Sequence, residues 1–203
     1  MKIALTLVLT TLLVSLCVGG ILAEDRRAKT TDGKEVLLRA DGTWSYIGEY
    51  NKDKKSEIAY TGKRGTFAIH LLPNTWKKND KVDNDAAEVG FIKDGDIYAM
   101  IIAERIEVPI EALKKAAIEN MKMVDKNTKI VFEEKRTVNG KEMICLTLEV
   151  TTEGVPFTFH GYIYTGDEGS FQIVTWTGRK LFKEVKPEME AFLNGFVILK
   201  KKD

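Results

Sequence analysis

The chain is 203 residues long and carries 31 basic against 30 acidic side chains, a formal net charge of +1. That balance excludes the basic excess on which nucleic-acid binding, or attraction to an anionic membrane, depends. A protein or a small molecule is left as the partner class.

Lys2, the apolar run Ile3–Val18 and the small residues leading to Ala23 make a secretory signal peptide over 1–23, with cleavage expected after Ala23. The run is also about long enough to span a bilayer, so the alternative is a tether that stays uncleaved. A lipid anchor on Cys17 fits less well, because bulky Leu16 stands where such signals carry a small residue. Cleavage removes Lys2 and Cys17, leaving basic and acidic residues equal in number and Cys145 alone. No internal disulfide can then form, and about 180 residues must hold a core by packing. The expected location is outside the cytoplasm of a bacterium, periplasmic or secreted, with an unidentified envelope protein or small molecule as partner. Membrane contact is expected only through an uncleaved leader.

Residues 24–49 read as a small hairpin segment. Asp32-Gly33 and Asp41-Gly42 supply turns, while Val36 and Leu38, then Trp44 and Tyr46, alternate along two short strands. The stretch Asp32–Tyr46 is similar to a short segment found near the N-termini of various exported bacterial proteins. Residues 50–64 turn polar and charged and read as a linker, in which Ile58 and Tyr60 add at most a short strand.

The main domain is expected over 65–199, with a C-terminal tail at 200–203. Phe67, Ile69 and Leu71 alternate with smaller or polar neighbours in a half-buried strand that Pro73 ends. Glu88–Lys93 and Ile97–Ile106 form a hairpin closed at Asp94-Gly95. Ile97–Ala103 is apolar on both faces and reads as a central strand. Pro109 opens a helix whose stripe is Ile110, Leu113, Ala117, Met121 and Val124. Four strands follow, Thr128–Val138, Glu142–Thr151, Val155–Tyr164 and Ser170–Thr177. Asn139-Gly140, Glu153-Gly154 and Gly166–Gly169 close them into an antiparallel meander. Pro187 opens a last helix that turns Met189, Phe192, Leu193 and Phe196 inward. The fold class is α+β: a largely antiparallel sheet covered by helices.

This order of elements resembles the PsbP-like family, which includes DcrB-type periplasmic proteins. The residues that carry the likeness are Phe67–Trp76, the Asn139-Gly140 turn, and Phe182, Pro187, Glu188, Phe192, Leu193 and Phe196. The resemblance implies an α/β/α sandwich and a non-enzymatic accessory or binding role. It brings no shared catalytic motif and no cofactor.

Two constellations could carry chemistry. Cys145 and His160 are expected on one face of neighbouring strands, the proximity a thiolate–imidazole pair needs. An envelope enzyme using that pair is the alternative function, and a buried structural cysteine is the plainer reading. His160, Tyr162, Tyr164, Gln172 and Trp176 are expected to share one semi-polar aromatic face suited to binding, unless a helix covers it. For metals, Asp80, Asp83, Asp85 and Glu88 place four carboxylates in one loop, but without the glycine and closing glutamate of a calcium loop. His70 and His160 lie on separate strands and lack a third zinc ligand. No phosphate-cradling loop or nucleophile elbow is present. The sequence therefore points to an exported accessory or binding protein with no catalytic residue assigned.

Overall fold

The computed structural model describes residues 56–63 and 66–199, together with three short strands near the N-terminus, β1 (Arg26–Lys29), β2 (Glu35–Leu38) and β3 (Trp44–Gly48). The expected leader at 1–23 lies outside the described residues, as do the side chains of Trp44 and Tyr46.

The remaining elements are β4 (Glu57–Thr61), β5 (Phe67–Leu71), β6 (Lys77–Lys78), β7 (Ala87–Lys93), β8 (Ile97–Glu104), α1 (Ile110–Val124), β9 (Lys129–Val138), β10 (Lys141–Thr152), β11 (Val155–Gly166), β12 (Gly169–Gly178), α2 (Phe182–Asn194) and β13 (Phe196–Ile198). They build a ten-stranded sheet ordered β1-β2-β3-β9-β10-β11-β12-β8-β7-β6 and a three-stranded sheet ordered β13-β5-β4. The meander β9–β12 forms its centre, and its turns are cut by backbone chemistry. Asn139 and Gly140 sit at φ 49° and 80°, Glu153 and Gly154 at 51° and 81°, Asp94 and Gly95 at 53° and 84°. The first two pairs have the left-handed conformations that a two-residue hairpin turn requires, and Asp94-Gly95 adopt the same in the three-residue connection from β7 to β8. The sheet is antiparallel except where β3 joins β9, a parallel pairing of Ile47 with Thr137 and Gly48 with Val138.

Each face of the large sheet has its own cover. On one face α1 lays Leu113 and Ile118 onto Ile144, Leu146, Leu148, Val150 and Ile163. Fully burying each such side chain contributes about 1.5–3 kcal/mol. On the other face, α2 and the small sheet enclose Phe91, Ile101, Tyr162 and Phe171 with Phe67, Phe192 and Phe196. Phe67 stacks on Phe196 at 5.3 Å and meets Phe171 edge-on at 5.6 Å.

Several expectations are corrected. Pro187 lies inside α2 rather than opening it, because the chain is already helical from Phe182, with the Val185 amide donating to the Leu181 carbonyl. Phe196 belongs to β13 and pairs with Ile69, not to the helix. Strand β5 therefore leaves the main sheet for a second one, and β4 takes the last part of the segment read as a linker. In α1 Ile110, Leu113, Ala117 and Met121 pack on the sheet as expected and Ile118 joins them, whereas Val124 is 57% exposed. Pro109 caps α1 from outside its first turn.

Candidate functional site

Helix α1 covers β10 and β11 but not the neighbouring β12 and β8, and a groove of about 80 Å³ opens beside it. Ala117, Asn120 and Met121 of α1 form one wall. The opposite wall is the loop between β6 and β7, which brings Asn84 to the rim. That loop is pinned at Gly90, whose carbonyl accepts from the Asn79 amide at 2.8 Å. A Cβ at Gly90 would stand 2.0 Å from Val82, so only glycine lets the loop lie this close.

The floor is made by Met100 and Ile102 of β8, Gln172 and Val174 of β12, and Phe159, Gly161 and Ile163 of β11. Gly161 pairs with Val174 on one side and Leu146 on the other. Having no side chain, it leaves a gap in an otherwise filled apolar row. A Cβ there would also meet the Ile173 carbonyl oxygen at 2.5 Å. At one end of the floor Tyr98, Trp176 and Phe159 stack across three strands, at 5.5 and 5.9 Å between ring centres.

The expected aromatic face is divided between the two sides of the sheet. Gly166 pairs with Gly169, so even-numbered residues of β11 stand opposite odd-numbered residues of β12. His160, Tyr162 and Tyr164 accordingly share the α2 face with Thr175, Ile173 and Phe171. Gln172 and Trp176 lie on the α1 face, opposite Ile163 and Phe159. Register across the two-residue turn decides this, because side chains alternate with every residue.

Cys145 and His160 do share the α2 face, offset by one pair: Cys145 stands opposite Tyr162, and Thr147 opposite His160. Both are fully buried. His160 Nδ1 shares a 2.8 Å hydrogen bond with Thr147 Oγ1, not with the thiol. Burial pushes the Cys145 thiol up to about 12, so almost no thiolate exists at neutral pH. Burial also lowers the His160 pKa, against the opposing pull of Glu190. The nucleophile that the enzymatic alternative needs is not supplied by this pair.

A network that sequence reasoning missed surrounds them. Arg136 is 2% exposed and donates to Glu134, to Tyr162 Oη at 2.7 Å and to Glu190 Oε1 at 3.3 Å. Tyr162 Oη in turn donates a hydrogen bond to Asn194 Oδ1 at 2.8 Å. Glu190 lies 3.8 Å from both His160 Nε2 and Lys186 Nζ. The network joins α2 to the sheet beneath it. Glu134 and Arg136 sit in the charged run Glu133-Glu134-Lys135-Arg136, which reads as a solvated strand and gives no sign of burial.

The loop carboxylates do not converge. Asp80 pairs with Lys78 at 3.0 Å, and Glu88 accepts from Tyr60 Oη and the Lys63 amide. Among the described residues no three histidine, cysteine or carboxylate side chains are grouped to hold a metal ion. His70 sits on β5 and His160 on β11, in different sheets.

No protein-family model matches the chain, and no curated protein does. Solved structures match by shape. Cyanobacterial PsbP (CyanoP) of Synechocystis has a TM-score of 0.52 at 13% identity, over 69% of this chain and 91% of that one. The Ran-binding protein Mog1p of Saccharomyces cerevisiae has a TM-score of 0.50 at 5% identity, over 72% and 96%. LpqN of Mycobacterium tuberculosis, involved in cell envelope biogenesis, has a TM-score of 0.49 at 13% identity, over 72% and 91%. At such identities the likeness is one of architecture: this chain has the PsbP-like α+β fold.

Proposed function

We propose that this chain is an exported, non-enzymatic accessory protein of the bacterial cell envelope that binds a ligand in the groove beside α1. The observation that carries the reading is the contrast between the two faces of the sheet. On the α2 face, the buried ionisable side chains of Arg136, Glu134, Glu190 and His160 are taken up in holding α2 down. On the α1 face, an apolar floor stays half-covered because α1 stops short of β12 and β8. Concave apolar sites with a few polar groups at the edge are the usual form of a small-molecule site. Export rests on the leader-like sequence of residues 1–23.

The test uses the full chain expressed in a bacterium. N-terminal sequencing of the recovered protein is expected to begin at Glu24 in the periplasmic or secreted fraction. An uncharged fluorescent probe, N-phenylnaphthylamine, is expected to bind that protein saturably and to be excluded from an Ala117→Phe variant of unchanged circular dichroism. A cytoplasmic, uncleaved chain would overturn the location. Probe binding that Ala117→Phe leaves untouched would overturn the site.

A further inference from the structure

We infer that the groove beside α1 takes a linear aliphatic chain ending in an uncharged hydrogen-bonding head, such as an alcohol or amide. This rests on the binding role proposed above and narrows it to a ligand class. The first argument is charge. Aspartate, glutamate, lysine and arginine make up 30% of the protein, yet none of them lines the groove. A charged group brought into such a floor would lose its water with no counter-charge to replace it.

The second argument is the rim. Its polar side chains are the amides of Asn84, Asn120 and Gln172, because His160 and Tyr162, which also border the groove, turn their side chains to the α2 face. An amide both donates and accepts, so it matches a hydroxyl or amide head and has no full charge to offer a carboxylate or phosphate. The neighbours in sequence tilt the choice further. Asp83 and Asp85 flank Asn84 in the sequence and both are exposed, while Glu119, beside Asn120, is paired with Lys122. An anionic head held by Asn84 would meet the field of Asp83 and Asp85, whereas a neutral one would not.

The third argument is shape. The gap over Gly161 is one residue wide, between Leu146 and Val174. Met100 and Met121 border it from floor and wall, and thioether side chains adjust easily around an unbranched chain. A bulky fused-ring ligand would need the α1 wall to move away.

The experiment titrates the full chain with octanol, octanamide, octanoate and octylammonium by calorimetry and tryptophan fluorescence. Octanol and octanamide are expected to bind saturably, and octanoate at least about tenfold more weakly. Gln172→Met keeps the groove's volume and removes one amide. It is expected to reduce the preference for octanamide over octanoate while circular dichroism stays unchanged. Val174→Phe fills the floor and is expected to abolish all four titrations; its thermal midpoint identifies a variant that fails to fold, in which case Ala117→Phe replaces it. Octanoate or octylammonium binding as tightly as octanol would overturn the ligand class and leave the groove reading standing. No binding of any of the four, with N-phenylnaphthylamine still excluded by Ala117→Phe, would do the same. Failure of that probe as well would remove the groove reading itself.

Discussion

The Arg136 guanidinium donates to the Tyr162 hydroxyl at 2.7 Å in the space between the sheet and α2, where neither side chain reaches water. The pair is the centre of a buried network whose two carboxylates, Glu134 and Glu190, come from β9 and α2. Removing either member should have different costs.

Arg136→Leu leaves Glu134 and Glu190 with their principal cation gone. Loss of one partner from a buried ion pair costs roughly 3–5 kcal/mol. Tyr162→Phe removes one hydroxyl, leaves the charges paired and should cost about 1–3 kcal/mol. Urea denaturation of both variants checks the order. A milder Arg136→Leu than Tyr162→Phe would mean that the network does not hold α2 as described.

Asn139 serves twice. Its backbone takes φ 49° in the β9–β10 turn, and its side-chain amide donates to the carbonyls of Asn194 at 2.9 Å and Phe196 at 2.7 Å. Asn139→Gly keeps the turn and loses the clamp on the α2–β13 junction, at about 1–2 kcal/mol. Asn139→Ala loses both and should cost more, since alanine tolerates a positive φ poorly. Equal melting temperatures for the two variants would contradict this.

Burial lowers the pKa of His160, and Glu190, Arg136 and Lys186 face the ring. The folded state therefore binds a proton less readily than the unfolded chain, in which histidine titrates near 6.5. Stability is complete above that value and falls as pH drops from about 6.5 toward the lower folded pKa, by at most about 1.4 kcal/mol per pH unit. His160→Gln should flatten this part of the stability–pH profile. His70, whose pKa burial also lowers, is the control, and His70→Gln should leave the His160 contribution in place.

The thiol of Cys145 is sealed and its pKa raised to about 12. In native buffer, iodoacetamide should label it only as fast as the domain unfolds, and in urea at once. Fast native labelling would restore the thiolate chemistry that the geometry withholds.

The hairpins were legible because their turns are local: Asn139-Gly140 and Asp94-Gly95 declare left-handed backbone in two letters. Helix α1 was legible from spacing, though the exposed Val124 shows how a stripe runs past the edge of the sheet it packs on. Faces were harder. The Gly166–Gly169 pairing sets the parity of β12 against β11, and the miscount put Trp176 beside His160 when its ring lies against Phe159. The second sheet was invisible because β4 lies in a stretch that reads as a linker and β13 joins β5 from more than 120 residues away. Pro187 misled for a related reason: tertiary packing of Met189, Phe192 and Leu193 carries α2 through a residue that local propensity would place at its start. The groove has no sequence motif, arising where Gly161, Gly90 and the reach of α1 coincide.

Strand β13 closes the interior from the far end of the chain: Phe196 fills the space between Phe67 and Phe171, and the Leu199 amide reaches back to the Thr66 carbonyl. During synthesis, everything from β5 onward must wait for this last aromatic ring before the domain can lock. Without β13 the edge of β5 and the gap between Phe67 and Phe171 stay open, so a polypeptide lacking Phe196 should fail to seal this half of its interior.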